Sequence, residues 1–156
     1  MGDLGGAEAV RVKSFEMDTT EGRRDGNWAG YFALGAGLIE AISIRMTASW
    51  WDALLPAIVY FGAVYGLRRL SRPVCVGMVL MQAVTGLIRW KYMDQDFSEN
   101  AFLLFAAWNF GAAAWAAIQQ GQGGRGWMLV YEMVVVAGCV AVVGRWIWIV
   151  THMRTI

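Results

Sequence analysis

Six polar side chains stand in otherwise apolar stretches of this sequence, and they are where chemistry could occur: Glu40, Gln82, Asn109, Arg89, Arg145 and Glu132. A charged group in hydrocarbon costs roughly 2.5–3.5 kcal/mol on insertion scales, so each needs a partner or a wet cavity. Glu40 leads the set. It follows Ala36 and Gly37 by one helical turn and so borders a face small enough for close packing. Gln82 and Asn109 fall near mid-depth of their own stretches, and with Glu40 they form a candidate ligand or proton site. Arg89 and Arg145 lie nearer a surface, where long side chains can reach inward, and they are candidate ion-pair partners of Glu40. Glu132 is a further ion-pair candidate, within reach of Arg125, Arg68 or Arg69. A carboxylate placed like Glu40 can fix packing through an ion pair, hold a proton or ligand, or serve as an acid or base.

Most other chemistry is excluded. Ser43, Ser49, Ser71 and Ser98 have no histidine in a register that could activate them. The single histidine, His152, rules out both a haem held by two histidines of one chain and a histidine-rich metal centre. Cys75 and Cys139 sit in apolar runs, are not spaced as a metal site or disulfide framework, and read as buried apolar fillers. The glycine cluster at 121–126 lacks a following Lys-Ser/Thr and a preceding strand, so it is a helix-connecting turn and not a phosphate loop. The sequence therefore assigns no catalytic residue, no metal and no cofactor. The stretch Glu40 to Arg45 resembles the E-x-x-[N/H]-x-R helix of chlorophyll-binding light-harvesting proteins over six residues. Ser43 stands where the magnesium ligand would be, the small-residue continuation is missing, and the fifth stretch carries no second copy, so nothing is carried over from that family.

The elements that must position these residues follow from composition. The chain has 156 residues, 58% hydrophobic and 16% charged, with mean hydropathy +0.44. Ten of its 25 charged residues fall in positions 1–27, leaving the remainder far poorer in charge than the ~25% of a soluble domain. The net charge of +1 gives no basic surface for nucleic acid. A membrane-spanning helix needs about 20 mostly apolar residues, and five stretches qualify. They run over about 28–46, 51–67, 73–90, 99–120 and 127–150, with Pro73 at a favoured first helical position. The expected fold is an all-α polytopic transmembrane bundle of five spans; four become possible if the first two form a broken or re-entrant pair. Residues 1–27 are expected as a polar cytoplasmic tail, partly disordered, with Glu8–Met17 able to form a short strand or docking segment. The bundle proper is 28–156.

Aromatic placement supports these boundaries. Trp28, Trp50, Trp51, Trp90, Trp127, Trp146 and Trp148 fall at or near span ends, where indole rings sit at the headgroup level. Trp108 and Trp115 lie mid-span on one helix face. Basic residues are more numerous on the side of the tail and of the loops at 68–72 and 121–126, which puts the N-terminus in the cytoplasm and the C-terminus opposite. Small residues recur at four-residue spacing: Gly62 and Gly66, then Ala29, Ala33 and Gly37, then Ala112 and Ala116, then Ala137 and Ala141. Such stripes let helices approach closely where lipid offers no hydrophobic force. The partners expected are lipids and either other transmembrane subunits or further copies of this chain, and no nucleic acid. The leading functional expectation is an accessory or assembly subunit of a larger membrane complex. The alternatives are a small oligomeric transporter or channel built on Glu40, Gln82 and Asn109, and a membrane enzyme on an apolar or lipid substrate with Glu40 as acid or base.

Overall fold

The computed structural model describes residues 4–47, 49–92, 97–120 and 126–153, with side chains from Thr20 onward except at 43, 46, 47, 51, 97–100 and 153. The elements are five α-helices: α1 (Leu4–Thr47), α2 (Trp50–Arg68), α3 (Arg72–Tyr92), α4 (Phe97–Gln120) and α5 (Trp127–Met153). Three segments are long and apolar enough to cross a membrane: Arg72–Tyr92, Ala101–Gln120 and Trp127–His152. At 1.5 Å per residue the 21 residues of α3 reach roughly 31 Å, about the thickness of a bilayer's hydrocarbon core. The other two helices carry Glu40 and Arg45, and Asp52 and Arg68, respectively.

α1 departs from expectation. The backbone is helical from Leu4 onward, through the segment expected as a loose tail and through the possible strand at 8–17. Side chains before Thr20 are outside the described residues. The tail's glycines look like helix breakers, yet two of them are contact positions. A Cβ on Gly26 would come within 2.7 Å of the Leu67 carbonyl oxygen, and one on Gly22 within 2.7 Å of the Gln120 side-chain oxygen. Both glycines are buried. The small-residue stripe of α1 therefore starts at Gly22 and Gly26 and continues through Ala29, Ala33 and Gly37, where the Tyr60 Cβ fills the space a side chain would need.

Local signals fix the ends of α2. Ser49 caps its start: its carbonyl accepts from the amides of Asp52 and Ala53, while its own amide donates back to Asp52 Oδ2 at 3.3 Å. The Asp52 carboxylate thereby satisfies the Ser49 amide, a donor that the start of a helix leaves without a carbonyl. Pro56 sits in the second turn. At the other end Leu70 adopts a left-handed φ of 53°, with its amide bonded to the Leu67 carbonyl and the Ser71 amide to that of Gly66. Those two bonds close the helix in the manner usually served by glycine. Leu70 is held there by burial beside Gly26.

The helices pack as a closed ring in the order α1, α2, α5, α3, α4 and back to α1, with α2 also touching α3. Gly66 lets α2 meet α3, because a Cβ there would fall within 2.8 Å of both Val74 methyl carbons. Gly138 of α5 does the same against Val59 of α2. The core inside the ring combines Tyr60, Leu67, Val74, Met78, Met81, Phe110 and Val142. Outside it, Trp108 and Trp115 are both exposed on α4.

Candidate functional site

The polar residues converge inside this ring. Arg89 Nη2 of α3 donates to Glu40 Oε1 of α1 at 2.6 Å, and Trp146 Nε1 of α5 donates to Glu40 Oε2 at 2.9 Å. All three side chains have 0% exposure. The guanidinium carbon of Arg89 lies 5.6 Å from the Trp146 ring centroid, over its face. One carboxylate thus ties three helices together with both oxygens engaged.

Seven residues before Arg89, roughly 10 Å along α3, Gln82 accepts a 2.5 Å hydrogen bond from the Tyr60 hydroxyl of α2. The Tyr60 ring packs against Phe110 of α4, with centroids 6.5 Å apart. Glu40 and Arg89 are electrostatic neighbours of the same hydroxyl. Every helix therefore contributes to the centre: Glu40, Tyr60, Gln82 with Arg89, Phe110, and Trp146. Next along the ring toward the tail side, Cys139 Sγ rests 3.9 Å from Met78 Sδ. Both cysteines are free and buried.

The other sequence candidates lie apart from this centre. Asn109 is half-buried and donates to the Phe105 carbonyl of its own helix at 2.8 Å, so it does not join Glu40 and Gln82. Arg145 does not reach Glu40 either. It pairs with Asp52 at 2.6 Å, partly exposed, and stacks over the Trp148 ring at 4.0 Å. Glu132 takes a 2.7 Å bond from the Ser71 hydroxyl. Arg68 and Arg69 lie over the rings of Tyr31 and Tyr65 instead, and Arg125 is outside the described residues.

Three contributors were not singled out from the sequence. Trp146, near a span end like the interfacial tryptophans, is fully buried, because its ring faces inward and its N–H finds a carboxylate. Tyr60 stands in an aromatic-rich run with no distinguishing signal. Tyr131 inserts its hydroxyl at the glycine pair of α2, accepting from the Gly66 amide at 2.9 Å and donating to the Gly62 carbonyl at 2.5 Å. The four-residue glycine spacing marks where a side chain can approach that backbone.

Among the described residues, two buried nitrogens of Arg89, Nε and Nη1, find no hydrogen-bond partner, nor does Nε of Arg145. Among the described residues no three histidine, cysteine or acidic side chains come together as a metal site. The small-residue stripes also divide. Those of α1 and α2 are taken up inside the ring, whereas Ala137 and Ala141 of α5 are exposed and Gly144 has open space around it. Comparison with known proteins finds no family model that matches the chain, no similar curated protein and no similar solved structure.

Proposed function

We propose that this chain is a five-span integral membrane protein that serves as an accessory or assembly subunit of a larger membrane complex, with its N-terminus on the cytoplasmic side and its C-terminus opposite. The observation that carries this reading is the outward stripe of α5. Ala137, Ala141 and Gly144 share one face, and none is covered by this chain. Against lipid a small residue gains nothing over leucine, but against another helix it permits close backbone approach. The fully engaged carboxylate of Glu40 fits the same reading, since both of its oxygens hold the ring together.

The test is native mass spectrometry of the chain extracted from its own membrane in mild detergent, as wild type and as the Ala137→Leu/Ala141→Leu double variant. An accessory subunit emerges with foreign subunits in fixed stoichiometry. The double variant loses them while its thermal unfolding midpoint stays unchanged. A wild-type chain that emerges alone, or as a closed homo-oligomer, contradicts the reading.

A small transporter or channel is the second reading. The observation favouring it is that the ring is closed and that Glu40, Arg89, Tyr60 and Gln82 are buried inside it. Proton-coupled uptake into vesicles, lost in Glu40→Gln while the fold persists, would support it over the first.

A further inference from the structure

The Glu40–Arg89 pair is incomplete as hydrogen bonding. A guanidinium has five N–H donors. Nη2 serves Glu40, but Nε and both hydrogens of Nη1 have no acceptor among the described residues, although the side chain is 0% exposed. Buried donors are nearly always satisfied, because leaving one unmade forfeits its hydration with nothing in return. The neighbouring hydroxyls of Tyr60 and Thr85 donate to Gln82, and neither oxygen comes within hydrogen-bond distance of Nε or Nη1. The Trp146 indole N–H is a donor and cannot accept.

From these orphan donors we infer that the centre of the ring binds a small uncharged oxygen acceptor against Arg89, either ordered water or the carbonyl or hydroxyl oxygen of a membrane-soluble molecule. Charge selects against an anion. Glu40 already neutralises Arg89, so a second negative group would leave a net charge among fully buried side chains, where screening is weakest. An uncharged oxygen offers lone pairs to Nε and Nη1 without that cost. Water commonly bridges buried polar groups in this way. The site goes beyond the accessory role proposed above and does not depend on it. It lies in the last turn of α3 and two turns before the ends of α1 and α5, nearer the end of the ring away from the tail.

Two measurements on the detergent-solubilised full chain test it and separate the two sources. X-ray radiolytic labelling generates hydroxyl radicals from bound water where it sits, so it marks side chains that bulk solvent cannot reach. If water fills the site, Trp146 and Tyr60 are oxidised several-fold faster than Met78, which is equally buried but lies roughly 16 Å along α3 from Arg89. If a membrane-soluble molecule fills it, Trp146 and Tyr60 stay as unreactive as their burial implies. Native mass spectrometry of the wild type then shows a retained mass that Arg89→Met loses. Either result supports an acceptor at Arg89. No excess labelling together with no retained mass overturns it.

Discussion

Trp146 holds the opposite oxygen of the carboxylate that Arg89 holds: its Nε1 lies 2.9 Å from Glu40 Oε2, and Arg89 Nη2 lies 2.6 Å from Glu40 Oε1. An acid on α1 is thereby clamped between a cation on α3 and an indole on α5. Because α1 touches neither of those helices extensively, the clamp joins parts of the ring that side-by-side packing leaves apart.

The clamp predicts a steep cost for removing one member. Glu40→Gln leaves the Arg89 charge buried without its counter-charge, and loss of one partner of a buried pair costs ~3–5 kcal/mol. Trp146→Phe keeps the ring but removes the N–H, and should cost about 1–3 kcal/mol for an acceptor left unsatisfied. Equilibrium unfolding in mixed micelles reads both. A Glu40→Gln protein as stable as wild type would show that the pair does not hold the bundle.

The second ion pair behaves differently. Asp52 and Arg145 are 2.6 Å apart but 21% and 25% exposed, so solvent screens them and their coupling should fall below about 1 kcal/mol. A double-mutant cycle with Asp52→Asn and Arg145→Gln should give that small value and weaken further as salt is added. Asp52→Asn also disturbs the start of α2, because the same carboxylate accepts the Ser49 amide.

Glycines divide into those that permit contact and those that do not. Gly66→Ala places a methyl within 2.8 Å of two Val74 carbons, and overpacking of that kind costs ~1–3 kcal/mol. Gly111→Ala meets nothing within 4 Å and should stabilise α4 by about 0.5–1 kcal/mol through lower backbone entropy in the unfolded chain. Opposite shifts of the unfolding midpoint are expected, and equal shifts would contradict the packing of α2 on α3.

Tyr131 tests the polar contact between α5 and the glycine pair of α2. Tyr131→Phe removes both hydroxyl bonds to α2 while preserving the ring contacts with Tyr65 and Trp127. The expected loss is about 0.6 kcal/mol and at most about 1.7 kcal/mol, the average and the maximum for such bonds between membrane helices.

Much of the fold was legible because apolar length is a strong signal. The expected stretches at 73–90, 99–120 and 127–150 match α3, α4 and α5 to within three residues at each end. The course of α1 was not legible, since glycine is read as a breaker in water-facing segments. Whether Gly22 and Gly26 break or pack depends on α2 and α4 lying beside them. At the site, the presence of Glu40 and Arg89 was readable from cost alone. Their partners were not, because four cations and amides lay within plausible reach and only the order of helices in the ring selects among them. Asn109 illustrates the limit: its depth suited the site, but its position on α4 turns it toward its own backbone. Trp146 illustrates the converse, an end-of-span tryptophan whose helix face points inward.

The five-span arrangement is tested most directly by labelling with a membrane-impermeant maleimide in sealed vesicles of known sidedness, comparing Ser49→Cys with Gly123→Cys. The two native cysteines are buried and do not interfere. Five spans place residue 49 opposite the N-terminus and residue 123 on the same side as it, so each vesicle orientation should label one variant and spare the other. Labelling of both positions from the same side would contradict the account.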